Sequence, residues 1–217
     1  MMDYRNDLGL FKNKVREMEA AIKTGRTLEQ EFGSEVGLSA LSEGDRFFLG
    51  KLRIAEVMFY LRNKILLHFG LLVIFGWQEE WAKGYVSLPD SSQNIFKERR
   101  FNVFSSSVFD AVGEFLKVIQ FDGAILINGK GLITNSGMFI EGLRPTEAAE
   151  ELKLPDAEDL SSRFGFKIKT HMRHLSAIGA SYQFKDTTAY TISKKTGDLR
   201  IFEKGRIIYS TVDGEGA

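Results

Sequence analysis

Two short runs in this 217-residue chain combine residue types that could do chemistry. Asp122-Gly123-Ala124, within FDGAILINGKG, puts a carboxylate at the mouth of an apolar run. The glycine after it has no side chain to keep a ligand from the backbone. A carboxylate so placed can hold a hard cation. Arg173-His174, within HMRHLSAIGAS, sets a fork donor beside a ring donor where a helix begins, and such a place suits phosphate. Taken singly, Asp-Gly also reads as a turn, and Arg-His as solvated charge on a helix surface. Familiar alternatives are absent: there is no P-loop, no dinucleotide-binding glycine fingerprint and no nucleophile-elbow serine. The three histidines, His68, His171 and His174, form no spaced ligand set, and the chain has no cysteine, so a protein-built zinc site is not expected.

These residues need a scaffold, and the hydrophobic spacing supplies one. Leu8, Phe11, Val15, Met18 and Ile22 fall 3 and 4 apart, which predicts a helix with a narrow apolar seam to pack on a neighbouring helix. A Gly-, Ser- and Glu-rich connector follows over 24–44. A second helix starts near Ser42, where Ser-Glu-Gly-Asp offers a cap, and runs to about Asn63 with Phe48, Leu52, Ala55 and Phe59 on one face. From Ile65 the texture changes to short apolar runs bounded by glycine. Phe69–Trp77 reads as a buried strand, Ser105–Ile119 as a helix, and Phe121–Ile127 with Gly131–Asn135 as two strands joined through Asn128-Gly129. Thr188–Ser193, Leu199–Glu203 and Arg206–Ser210 read as strands joined by tight turns. The expected fold is α/β or α+β, a mixed central sheet flanked by helices, with a helical extension over 1–64 and the chemistry-bearing domain over 65–217.

Composition bounds the class. Hydrophobic residues at 43% and charged residues at 27% suit a folded globular protein, and 29 acids balance 29 bases, so no global field draws the chain to nucleic acid. The apolar stretch Ile65–Trp77 is too short for a membrane span, nothing at the amino terminus resembles a secretory signal, and the absence of cysteine favours a cytoplasmic setting. The VDGEGA terminus reads as a frayed tail. Charge is nevertheless segregated. Residues 141–160 carry seven acids against Arg144 and Lys153, a net of −5, and residues 161–217 carry ten bases against five acids, a net of +5. The basic third suits a polyanionic ligand, or equally a strand edge guarded by lysine.

Taken in order, FDGA, ILINGKGLITNSG, MRHLSAIGAS and KDTTAYTISKKTGDLRIFEKGRI make the run from about Ile65 to Ser210 resemble the diadenylate cyclase family. The resemblance covers about two thirds of the chain. It implies an enzyme that condenses two ATP into cyclic di-AMP and two pyrophosphates with a divalent metal, Mg or Mn, across two domains that meet face to face. Asp122, Gly123 and Ala124 match the family's Asp-Gly-Ala. The match implies that Asp122 binds the metal and helps activate the ribose 3′-hydroxyl, and that Gly123 lets the nucleotide lie against backbone. Arg173 and His174 match the first two residues of its Arg-His-Arg and would contact the phosphates, and Ser193 falls where the family has a serine before two glutamates.

The departures are specific. Met172 stands where the family has threonine, Leu175 replaces the second arginine, and Lys194-Lys195 replaces the glutamate pair. A methionine cannot donate a hydrogen bond, and Leu175 removes a charge-assisted contact worth on the order of 1–3 kcal/mol. Lys194 and Lys195 either abolish a metal contact or supply replacement cations for the triphosphate. Alongside the cyclase, the alternative is a nucleotide-binding or sensor domain of the same fold without turnover.

Overall fold

The computed structural model describes residues 7–25, 42–64, 69–87 and 90–216. Most of the expected connector, residues 26–41, lies outside the described residues, as do 65–68 at the start of the apolar stretch. The first helix, α1 (Leu8–Lys23), begins where the Asp7 carboxylate accepts from the Leu10 amide at 2.9 Å. Its seam residues Phe11, Val15, Met18 and Ile22 are all buried. The second, α2 (Glu43–Lys64), is capped by Ser42, whose Oγ accepts from the Asp45 amide at 3.1 Å.

The strands are β1 (Leu71–Phe75), β2 (Val86–Ser87), β3 (Phe101–Asn102), β4 (Ala124–Ile127), β5 (Leu132–Ile140), β6 (Thr188–Ile192), β7 (Leu199–Glu203) and β8 (Arg206–Ser210). They form one mixed sheet ordered β2-β5-β4-β1-β6-β7-β8, with β3 also paired to β5. Only β1 and β4 run parallel, and they sit at its centre. Both faces are covered, which is why β1 reads LLVIF without alternation. Val73 and Phe75 point into a core shared with α1, α2 and α4 (Val108–Leu116), while Leu72 and Ile74 point into a second core under α5 (Pro145–Glu151) and α7 (Met172–Gln183). The short α3 (Ala82–Tyr85) and α6 (Leu160–Arg163) complete the α-helices among the described residues. The architecture is a mixed α+β fold, and no described helix is long and apolar enough to cross a membrane.

The helices before residue 65, α1 and α2, supply one wall of a core shared with the sheet. Phe11 meets Phe48 edge-on, Phe47 lies 4.7 Å from Phe75 between ring centres, Phe59 packs on Tyr209, and the Tyr209 hydroxyl donates to Glu19. In the turn between β4 and β5, the positive φ falls on Gly131 (+83°) and not on Asn128 or Gly129. Asn128 works through its side chain, which accepts from the amides of Lys130 and Leu132 at 3.0 Å each. Finally, β5 continues past Asn135 to Ile140, with register shifts against β4 that carry the strand through polar residues. Ser136 is held there by Asn94 and by the Gln93 carbonyl.

Candidate functional site

Strand pairing brings one end of each central strand to a common edge. Leu72 of β1 lies opposite Ala124 of β4, and Leu71 lies opposite Ile192 of β6. The start of β1, the start of β4 and the end of β6 therefore meet, and with them Gly70, Asp122 and Ser193. The first turn of α7 closes over this end. A methyl group built on Gly70 would lie 2.2 Å from Nη1 and 2.6 Å from Cζ of Arg173, so the guanidinium rests directly on the Gly70 backbone. Burial lowers the Arg173 pKa, and the nearby Asp122 carboxylate opposes that shift. An arginine stays charged through such a change. A half-buried fork donor and an exposed carboxylate thus share one edge of the sheet.

The other residues singled out in the sequence have more structural duties. Gly123 takes φ +96°, and a Cβ there would lie 2.6 Å from the Gly137 carbonyl carbon and 2.8 Å from the Met138 nitrogen. The close approach of the neighbouring strand β5 by itself requires a glycine there. Ala124 is 1% exposed and belongs to the core beneath α7, so its side chain faces no solvent. Ser193 closes the β6–β7 turn: its amide donates to the Asp198 carbonyl at 2.9 Å, and its carbonyl accepts from Gly197 at 2.8 Å. Lys194 and Lys195 stand exposed on that turn.

Arg173 and His174 are adjacent in sequence but turn apart. The His174 ring is buried, edge-on to Phe166, with Nε2 3.3 Å from Nη1 of Arg200. Arginine can only donate, so Nε2 accepts and the ring is neutral. Burial first, then the charges of Arg200 and Arg173, lower its pKa to about 3. The expected side-by-side pair of donors is therefore corrected to one cation, Arg173, and one inward acceptor. His174 does line a recess of about 40 Å³ together with Ser193, Lys195 and Arg200. The structure brings these four together around one hollow, while Lys194 is not among its lining residues.

Two residues of this neighbourhood carried no sequence signal. Arg200 lies in β7 amid apolar neighbours, and Glu215 lies in the segment read as a frayed tail. Glu215 is instead 8% exposed and accepts from Arg200, from the Lys167 amide at 2.9 Å and from Ser210 Oγ at 2.7 Å. Lys12 of α1 also donates to the Gly216 carbonyl. The tail is tied down from three elements.

No protein-family model matches the chain, and no curated protein does. Solved structures similar to the chain include the following two. One is DacA from Staphylococcus aureus, a double mutant, at 16% identity over 76% of this chain and 87% of that one, with a TM-score of 0.42. The other is described as the hypothetical membrane spanning protein from Bacillus cereus, at 13% identity over 95% of this chain and 94% of that one, with a TM-score of 0.46. Similarity of this size assigns no reaction.

Proposed function

We propose that the chain is a diadenylate cyclase that binds one ATP at the sheet edge holding Asp122 and Arg173. Two such domains facing each other would condense two ATP into cyclic di-AMP. The observation that carries this reading is the seating of the Arg173 guanidinium on Gly70 with Asp122 at the same strand ends. In each half-reaction the ribose 3′-hydroxyl of one ATP attacks the α-phosphate of the other, a P–O bond forms, and the bond to pyrophosphate breaks. Arg173 would hold the phosphates by its fork and stabilise charge on them.

Among the described residues no group of three His, Asp or Glu side chains is arranged to hold a metal. The proposed site offers an exposed carboxylate, Asp122, and this suits Mg or Mn, which complete their shells with substrate phosphates and water. Bound there, the metal would supply positive charge to the triphosphate and acidify the 3′-hydroxyl. Gly123 and Ala124 set the backbone that presents Asp122, and Ser193, Lys194 and Lys195 would border the phosphates from the β6–β7 turn. Dependence on ATP suits a cytoplasmic setting.

A second reading has its own support. His174 is spent on Arg200, Met172 is 76% exposed where the resemblance expects threonine, and Leu175 cannot bind phosphate. A domain that binds nucleotide without turning it over would tolerate all three. Incubating the pure protein with ATP and Mn²⁺ or Mg²⁺, and assaying cyclic di-AMP and pyrophosphate, separates the two. Both products are expected from a cyclase; ATP binding without either would favour the sensor, and no binding would reject both.

A further inference from the structure

At the opposite end of α7 and of strands β6 and β7 lies a cleft of about 420 Å³. Ser181, the first residue of α7 to line it, lies eight residues and about 12 Å along the helix from Arg173, so the cleft is a different place from the proposed nucleotide site. Phe47 and Tyr182 are among its walls, and Glu203, Asp186, Lys51, Lys185 and Lys204 supply its charged groups. Glu203 is 5% exposed. Its Oε1 takes both Lys51 Nζ at 3.0 Å and Thr188 Oγ1 at 2.9 Å. Among the described residues its Oε2 has no hydrogen-bond partner, yet it is not one of their sealed-off polar atoms. The cleft therefore reaches a carboxylate oxygen with an unused acceptor site.

The chemistry of the cleft is two-part. Lys51 neutralises Glu203 and lies over the rings of Phe11 and Phe48 at 4.8 and 5.8 Å, so it is committed to the core. What remains inside is acceptor-rich: Glu203 Oε2, the Asp186 carboxylate and the last turn of α7, whose carbonyls form the negative end of the helix. Lys185 and Lys204, both exposed, provide the opposite charge. Hydroxyl groups suit such an interior, because they donate to carboxylates without adding charge beside Lys51, and the edge or face of a sugar packs on aromatic rings. An anionic group suits the two lysines. We propose that this cleft binds a phosphate monoester of a small sugar, hydroxyls inward to Glu203 and Asp186 and phosphate outward to Lys185 and Lys204.

The proposal does not depend on the cyclase reading, and its test uses no turnover. Calorimetry on the full chain with glucose 6-phosphate, ribose 5-phosphate and glycerol 3-phosphate should show binding of at least one, with inorganic phosphate and free glucose each weaker by roughly tenfold or more. The exposed double variant Lys185→Gln with Lys204→Gln should lose that binding by about tenfold or more while keeping the wild-type circular dichroism. Asp186→Asn retains a residue at ease with the φ of +60° found there, and should weaken the sugar phosphates more than inorganic phosphate. Binding of inorganic phosphate as tight as any ester, binding of an ester unaffected by the lysine changes, or no binding of any of the three would each overturn the proposal.

Discussion

Glu215 grips Arg200 with both carboxylate oxygens, Oε2 2.6 Å from Nε and Oε1 3.0 Å from Nη2, and the remaining Nη1 of that arginine meets His174. A residue beyond the last strand thus sets the orientation of a guanidinium that in turn orients the histidine beside Arg173. Glu215→Gln leaves Arg200 as a buried cation with a neutral partner, a class of change that costs about 3–5 kcal/mol. A loss of unfolding free energy of that order is expected from urea denaturation. Burial raises the Glu215 pKa, but hydrogen bonds from Arg200, Lys167 and Ser210 outweigh it and leave the carboxyl below 4.5. Its contribution is therefore full above pH 4.5 and is lost as pH falls through the folded value. The variant should lack that acid-side loss.

His174 acts in a different pH window. The folded ring holds its proton only below about pH 3, whereas an unfolded histidine takes one near 6.5. Between those values the unfolded chain binds more protons, so stability rises with pH across that span and is level above it. His174→Gln should remove one proton's worth of slope from a plot of unfolding free energy against pH. An unchanged slope would mean that the ring is protonated in the folded protein.

Gly70 and Asp122 test the two halves of the proposed nucleotide site. Gly70→Ala would place a methyl 2.2 Å from Arg173 Nη1, and the flexible guanidinium must move while the backbone need not. ATP binding measured by calorimetry should weaken with little change in thermal midpoint. Asp122→Asn, on an exposed residue, should bind ATP nearly normally yet form cyclic di-AMP at least roughly 100-fold more slowly. Turnover like wild type in the latter would remove Asp122 from the mechanism.

The lysines on the β6–β7 turn are open to a charge test. If Lys194 and Lys195 offset the arginine missing at Leu175, then Lys194→Glu with Lys195→Glu should weaken ATP binding. Both are exposed, so the fold should persist. Equal or tighter binding would show that they do not serve the triphosphate.

Assembly gives the last test. On the proposed reading, one edge with one Asp122 and one Arg173 would hold one ATP, and a cyclic product needs two, so the specific rate should rise with protein concentration in the dilute range. A constant rate per molecule, where light scattering shows monomer only, would exclude the face-to-face reaction.

Period and turn chemistry alone determined most of the scaffold. The 3–4 spacing from Leu8 to Ile22 is a buried helical seam, LLVIF is a central strand covered on both faces, and the last three strands lie within a residue of where Gly and Lys-Thr-Gly-Asp turns put them. These features are local, set by side chains within a few residues of one another. What only tertiary structure decided depends on pairs far apart in the chain. Gly70 and Arg173 are joined because α7 closes over the start of β1, and Gly123 is a glycine because β5 presses on it. Glu215 is a buried partner of Arg200 although its own neighbours are Gly and Asp, since a tail's local composition says nothing about a guanidinium waiting fifteen residues upstream. The same logic separates Arg173 from His174: adjacent positions on a helix point about 100° apart, and the sheet beneath decides which one faces the core.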